Sequence, residues 1–152
     1  MGDHHTDIRR ATAADAAAVR DLTRSAYAKW VPVIGREPKP MAADHDAAVR
    51  DHLVDLLHVG GELAALIETI PAADHLLIEN VAVAPAFQGR GHGRRMVAHA
   101  EALAASLGYA EMRLYTNKMF AANVLLYRRL GYQVDREEAF PGGIVVHMSK
   151  AL

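Results

Sequence analysis

Apolar and polar positions along the chain follow the period of a strand in some segments and that of a helix in others. The apolar run from Leu76 to Val83 has the length of a strand. Pro85 then ends it, because proline lacks the N–H that a neighbouring strand would bind. A helical period follows, with apolar residues on one face at Met96, Val97, Ala100, Leu103, Ala104 and Leu107. The pattern predicts a central strand over 76–83 and a helix over 91–107, ended by Gly108.

Shorter patterns of both kinds fill the rest of the chain. Strands are predicted over 7–11, 56–59, 62–70, 112–115, 132–140 and 144–150, with glycine turns at 60–61 and 141–143. Helices are predicted from the Thr12-Ala-Ala-Asp15 start to Val31-Pro32, over 42–57 and over 121–130. Residues 32–41 carry three prolines and a glycine, and are expected to form a loop. Strands and helices mixed around one central strand indicate an α/β or mixed α+β class, in one domain over 1–152.

A glycine-rich, basic turn, Gln88-Gly89-Arg90-Gly91-His92-Gly93-Arg94-Arg95, connects the central strand to the following helix. The N–H groups of a helix's first turn have no partner within the helix, and glycines let the chain curl so that these groups converge. Together with the helix dipole, this arrangement suits a phosphate or pyrophosphate. The dinucleotide fingerprint fails because position 94 is arginine, and the other phosphate loop fails because the chain has no Gly-Lys pair.

What remains resembles the acetyl-CoA signature of the GCN5-related N-acetyltransferase (GNAT) superfamily. The matching segments are Asn80-Val81-Ala82-Val83-x-Pro85, Gln88-x-x-Gly91-x-Gly93 and Asn123-x-x-x-Tyr127-x-x-x-Gly131-Tyr132. The resemblance runs from about residue 8 to about residue 148, with acetyl-CoA implied as cosubstrate. It implies a mostly antiparallel sheet of about seven strands with helices on both faces. The central strands 4 and 5 would splay apart to form the CoA cleft.

Composition excludes several other classes of function. The net charge of −1 and the pI near 6.8 give no general attraction to nucleic acid or to an anionic membrane. The chain has no cysteine, so it forms no disulfide and offers no cysteine nucleophile. No apolar run approaches the ~18 residues of a membrane span, and the first residues lack a signal peptide's apolar core, so we expect a cytoplasmic protein. His4 and His5 could bind a metal, but a frayed terminus is the preferred interpretation and no metal is expected.

Glu79 is the only carboxylate within the apolar run, and uniform alternation places it on the same face as Val81 and Val83. An alkyl amine has a pKa of about 10, so it must lose a proton before it attacks a thioester. The resemblance implies that Glu79 removes this proton, directly or through water, beside the bound acceptor. The alternative is an exposed carboxylate near the start of the strand.

Tyr127 lies one turn after Asn123 on the same side of the predicted helix. The resemblance implies that Tyr127 protonates the departing CoA thiolate and that Asn123 binds the pantetheine arm. The alternative is a core tyrosine packed on the sheet. The commoner family pattern has an asparagine where this chain has Phe120, so the sequence leaves open which of Asn117 and Asn123 contacts the cofactor.

The other cofactor contacts are also implied by the resemblance. The backbone of Val81 and Val83 would bind the pantetheine amides, and the Val83 N–H would polarise the thioester carbonyl. Arg90 and Arg94 would meet the 3′-phosphate-ADP end, whereas His92 would contribute only its N–H. The full cofactor set is Val81, Ala82, Val83, Gln88, Gly89, Arg90, Gly91, His92, Gly93, Arg94, Asn123 and Tyr127.

The segment between the first two helices commonly shapes the acceptor site in this family. Tyr27, Trp30 and Arg36 are therefore expected to bind the acceptor together with Glu79, and Lys39 and Met41 belong to the same loop. A hydrophobic plug under the loop is an equal alternative.

The sequence thus predicts an acetyl-CoA-dependent N-acetyltransferase in which a primary amine of a small molecule or peptide attacks directly in a ternary complex. A dimer is the default assembly. A non-catalytic acyl-CoA-binding or regulatory module on the same fold stays open, as does a general nucleotide-phosphate binder.

Overall fold

A computed structural model describes residues 6–152, so His4 and His5 lie outside the described part. Seven strands form one sheet in the order β1-β2-β3-β4-β5-β7-β6, antiparallel except for the parallel pair β4–β5. The strands are β1 Thr6–Arg10, β2 Leu53–Val59, β3 Glu62–Pro71, β4 Leu76–Val83, β5 Glu111–Asn117, β6 Gln133–Phe140 and β7 Gly143–Ala151. The α-helices are α1 Ala16–Tyr27, α2 Val31–Ile34, α3 His45–Asp51, α4 His92–Ser106 and α5 Ala121–Arg129. The predicted fold class is confirmed.

Helices cover both faces of the sheet and divide the core in two. On one face, Met96 and Val97 of α4 pack with Ile67 of β3 and Met112 of β5 in the larger cluster. On the other face, α1 contributes a smaller cluster, whose members include Val19, Leu22, Leu56 and Leu66. Full burial of one such side chain stabilises the fold by about 1.5–3 kcal/mol. Among residues 6–152, no helix has the length and apolarity that a membrane crossing requires.

Two expectations for the segment between α1 and β2 are wrong. Val31-Pro32 does not end helical structure, because Pro32 lies in the first turn of α2. N–H groups in a first turn have no partner within the helix, so the missing N–H of proline costs no hydrogen bond there. Gly35 ends α2 with a φ of 74°, and a 3-10 turn at Lys39–Ala42 follows, so the predicted loop over 32–41 is partly helical.

The segment 42–57, predicted as one helix, contains two different elements. α3 ends at Asp51, His52 takes an extended conformation, and Leu53–Val59 becomes β2. β2 is paired by β1 on one edge and by β3 on the other, so backbone pairing on both sides outweighs the local helical pattern.

β4 and β5 pair only at their first residues. The pairs are Leu76 with Met112, Leu77 with Arg113 and Ile78 with Leu114, after which the two strands diverge. The expected splay of the central strands is therefore present.

A bulge in β4 lies where the divergence begins. Asn80 pairs with Glu68 and Ile78 with Thr69, which leaves Glu79 as the extra residue. Uniform alternation therefore fails: Ile78 and Val81 both pack on the α4 side, although they are three positions apart and alternation would place them on opposite faces. Glu79 does not share the face of Val81, since its carboxylate contacts Tyr115.

Candidate active site

The gap between β4 and β5 opens into a cleft of about 650 Å³. The end of α1, the last residues of β4, the glycine turn, the start of α4 and one side of α5 enclose it. Eleven of the twelve predicted cofactor residues line this cleft: Val81, Ala82, Val83, Gln88, Gly89, Gly91, His92, Gly93, Arg94, Asn123 and Tyr127. The structure thus brings together a strand, a turn and two helices around one elongated space.

The backbone of β4 lies open toward the cleft. Because β5 has diverged, the Val81 carbonyl accepts a hydrogen bond from the Tyr27 hydroxyl at 3.3 Å, and the Val83 carbonyl accepts one from the Gln88 amide at 3.0 Å. In an antiparallel ladder, the N–H and C=O of one residue point to the same side, so the N–H groups of Val81 and Val83 also face the cleft. Ala82 instead pairs with Leu66 of β3. Two peptide units are thus available to an extended amide-containing ligand.

The glycine turn aims the start of α4 into the same cleft. Gly89 and Gly91 have φ values of 79° and 82°, which only glycine adopts without strain. Arg95 makes the first backbone bond of the helix, to the Gly91 carbonyl at 3.0 Å. Within the described residues, the N–H groups of the preceding three positions, 92–94, have no backbone partner. Such a terminus suits an anion.

Three cations border this part of the cleft: Lys29, Arg94 and Arg129. Lys29 donates to the Gln88 side-chain oxygen at 3.2 Å. Arg90, the twelfth predicted residue, lies outside the lining, with its guanidinium 5.5 Å from the centre of the Phe87 ring. Burial, followed by the charges of Arg95 and Arg90, lowers the pKa of His92, so its ring is neutral at pH 7.

Tyr127 reaches the cleft from α5. Burial raises the pKa of Tyr127 to about 12, so its phenol stays protonated at neutral pH. Its hydroxyl makes no hydrogen bond to the described residues, and its ring packs edge-on against Tyr132 at 5.9 Å. Asn123 lines the cleft one turn earlier, whereas the Asn117 oxygen accepts the Met119 N–H at 2.9 Å and lies outside the lining.

Glu79 is held from the neighbouring strand. The Tyr115 hydroxyl lies 2.9 and 3.0 Å from the two carboxylate oxygens and donates to them. Burial and the Glu79 charge raise the pKa of Tyr115, so this phenol is a donor and not a base.

Tyr27 lies near both predicted catalytic groups. Burial is the main reason why its pKa is raised, and Tyr127 and Glu79 are the next two causes. One phenol can respond to both groups only if it lies near both. Tyr27 and Tyr127 line the cleft, whereas Glu79 lies near Tyr27 but outside the lining.

Of the other two predicted acceptor residues, Trp30 lies in the cleft and Arg36 lies outside it. Trp30 lines the cleft and stacks on Phe120, with ring centres 4.6 Å apart. Arg36 leaves the cleft and reaches the β6–β7 turn, where its guanidinium donates to the Gly142 carbonyl at 3.4 Å. Trp30 is thus both a stacked plug and a wall of the cleft.

The geometry agrees with a comparison of the sequence against known families. The model described as "Acetyltransferase (GNAT) domain" matches residues 49–134. The chain belongs to the GNAT acetyltransferase family. The matched part includes the glycine turn, Glu79 and Tyr127. A search of curated proteins finds no significant match.

Solved GNAT structures share the fold at low sequence identity. The PaiA N-acetyltransferase of Thermoplasma acidophilum, in complex with coenzyme A, is 17% identical, with 97% of this chain and 99% of that chain covered and a TM-score of 0.74. A GNAT acetyltransferase of Elizabethkingia anophelis with acetyl-CoA bound is 17% identical, with coverages of 97% and 98% and a TM-score of 0.74. A GCN5-related N-acetyltransferase of Rhodopseudomonas palustris is 17% identical, with coverages of 100% and 99% and a TM-score of 0.79.

Three residues of this GNAT site were missed by reasoning from the sequence: Lys29, Tyr115 and Arg129. Tyr115 lies in a predicted strand, but only the order of strands in the sheet places it beside Glu79. Arg129 lines the cleft but was not among the cations expected at the phosphate end. Its spacing from Tyr127 gave no signal, since residues two apart along a helix point about 200° away from each other.

Proposed function

We propose that this GNAT protein transfers the acetyl group of acetyl-CoA to a primary amine by direct attack in a ternary complex. The observation that carries the proposal is the continuity of the cleft. It runs from the N-terminus of α4, past the open backbone of β4, to Tyr127 and Tyr27 at its inner end. The coenzyme A and acetyl-CoA complexes of proteins with this fold support the same ligand here.

The cleft offers groups that suit both the phosphates and the pantetheine arm of coenzyme A. The unpaired N–H groups at 92–94 would bind the pyrophosphate. Arg94 or Arg129 would bind the other negative charges of the 3′-phosphate-ADP end. The pantetheine amides would donate hydrogen bonds to the Val81 and Val83 carbonyls, which accept from Tyr27 and Gln88 in this structure. Asn123 would bind the same arm from α5.

Bound acetyl-CoA would supply an activated acyl group, the thioester. Glu79 would accept a proton from the acceptor's ammonium, directly or through water, which frees the nitrogen lone pair to bond the thioester carbon. The Val83 N–H would donate to the carbonyl oxygen as negative charge develops there. Tyr127 would give its proton to sulfur as the carbon–sulfur bond breaks, because its phenol is protonated at neutral pH. The second proton, which the nitrogen loses as the amide forms, would restore the phenol.

The test is steady-state thiol release from acetyl-CoA with a panel of primary amines, with the N-acetyl product identified by mass. We expect thiol and acetylamine in equal amounts. Binding of CoA without amine-dependent thiol release would instead support a non-catalytic acyl-CoA module. Competition by ATP or NAD at concentrations similar to that of CoA would support a general nucleotide-phosphate binder.

A further inference from the structure

Two cations lie on the acceptor side of the sheet without a carboxylate partner among the described residues. They are Arg36 and Lys39, in the segment that links α2 to α3. The only carboxylate between them, Glu37, is bound by Arg24 of α1 at 2.9 Å. These two charges are therefore not neutralised by their own loop.

Lys39 lies near the proposed base, Glu79, and Arg36 lies at the neighbouring hairpin. The Lys39 ammonium is 5.9 Å from the centre of the Tyr115 ring, and the hydroxyl of that ring holds Glu79. The Arg36 guanidinium is 5.6 Å from the centre of the Phe140 ring, at the tip of the β6–β7 hairpin. Lys39 thus lies beside the phenol that holds Glu79, and Arg36 lies at the hairpin tip.

The backbone that carries these cations is anchored at several points. Arg24 donates to the Met41 carbonyl at 2.8 Å, and a ring nitrogen of His45 lies 3.1 Å from the Pro40 carbonyl. Pro38 and Met41 are buried. Because prolines have a fixed φ and the loop is tied on both sides, ligand binding has little backbone entropy left to remove.

This region of the surface therefore has separated charges of opposite sign. Glu79 carries a negative charge, and within residues 6–152 its side-chain hydrogen bonds come only from a phenol. Arg36 and Lys39 carry positive charge on the solvent side. A ligand with an ammonium group and, a few bonds away, an anion would match both signs.

We infer that the acceptor is a small zwitterionic amine of the amino-acid type, whose amine meets Glu79 while its anionic group binds Lys39 and Arg36. This inference rests on the proposed N-acetyltransfer at the same site. It names the class of acceptor, which the proposed function leaves open. A carboxylate and a phosphonate offer the same chemistry to the two cations.

The test compares matched acceptors with acetyl-CoA held saturating. The pairs are glycine with glycinamide and β-alanine with β-alaninamide, and aminomethylphosphonate serves as the phosphonate arm. We expect kcat/KM to be at least about tenfold higher for the anionic member, since a charge-assisted contact is lost in the amide. The ratio of glycine to aminomethylphosphonate then tells which anion the site takes.

Lys39→Met and Arg36→Met should each lower kcat/KM for the anionic acceptor about tenfold more than for its amide. The matched control is Arg20→Met, since Arg20 lies on α1 with its own partner Asp21. This control should leave every ratio unchanged.

A second readout does not need turnover. In the presence of CoA, the anionic acceptor should raise the melting temperature of the wild type more than its amide does, and Lys39→Met should remove the difference. Amides that are acetylated as well as the free acids, with variants that leave the ratio unchanged, would overturn the inference while the proposed function stands. Absence of thiol release with any amine, together with equal melting shifts, would overturn both.

Discussion

The two halves of the candidate site are built in different ways. The proposed cofactor half is built mainly on the open backbone of β4, the glycine turn and the N-terminus of α4, within residues 81–95, and α5 adds Asn123 and Tyr127. The acceptor half gathers Glu79, Tyr115, the loop with Arg36 and Lys39, and the tip of the β6–β7 hairpin. The first half therefore rests mainly on one continuous piece of backbone, and the second is a set of side chains from four distant segments.

This difference explains what each half can recognise. Backbone N–H groups at a helix terminus bind any phosphate of suitable shape, and their positions survive most side-chain changes. Separate side chains can be replaced one at a time, so we expect the proposed acceptor half to set specificity. Substitutions in the cofactor half should therefore remove function altogether, whereas those in the acceptor half should change rates and choice of acceptor.

The largest effect is expected for Gly91→Glu. The substitution places a bulky negative charge at the phosphate end and a side chain at a φ of 82°. CoA at ~100 times its Kd should stabilise the wild type by about 2.7 kcal/mol, and the variant should show none of this stabilisation. Melting temperature with and without CoA is the measurement.

Gly108→Glu is the matched control for Gly91→Glu. Gly108 has a φ of 87° at the opposite end of α4, with open space around it, so the same backbone strain and charge occur away from the cleft. Its CoA-induced stabilisation should match that of the wild type. A variant Gly91→Glu that folds and still gains the full stabilisation would contradict an anion site at this turn.

Glu79→Gln should lower kcat by about 10²–10⁴-fold and leave CoA binding intact. The loss should shrink as pH rises toward the pKa of the amine, because more acceptor is then already deprotonated. The pH dependence of kcat measures this, with the exposed Glu62→Gln as control. A pH-independent loss would speak against the role as base.

Tyr127→Phe keeps the ring and removes only the hydroxyl, so kcat should fall at least ~10-fold while acetyl-CoA binding persists. The fall should be smaller for a synthetic thioester whose thiol has a low pKa. Because burial raises the pKa of Tyr127 to about 12, this group should cause no loss of kcat in the neutral and mildly alkaline range.

Tyr132→Phe is the control for Tyr127→Phe. Its hydroxyl donates to Glu101 at 2.9 Å, away from the cleft, so its loss should cost about 1 kcal/mol of stability and no rate. If Tyr127→Phe turns over like the wild type when chemistry limits the rate, the proton for sulfur has another source.

The smallest effect is expected at the boundary of the two halves. Trp30→Ala should raise the acceptor KM about fivefold, close to 1 kcal/mol, and the acetyl-CoA KM less. Lys29→Met acts on the adjacent residue and should raise the acetyl-CoA KM instead, because its ammonium binds Gln88 of the turn. Equal changes of both KM values in Trp30→Ala would place the indole in the cofactor half.

Where one local period dominates, the sequence alone determined the element. The apolar run ended by Pro85 predicted β4 at its observed bounds, and one apolar face predicted α4 to within a residue at each end. The segment 53–59 has no such dominance, since its apolar residues fit a helix as well as a strand. It became a strand because β1 and β3 both offer backbone partners.

The same division holds within the site. The glycine turn and the spacing of Asn123 and Tyr127 are local patterns, and these residues meet in the cleft as the sequence indicated. The partner of Glu79 is not a local property. The bulge in β4 turns Glu79 away from the face that alternation predicts, and the parallel pairing of β5 brings Tyr115 to it from 36 residues away. Register and bulges arise from pairing between strands, so only the tertiary structure decided which groups surround the carboxylate.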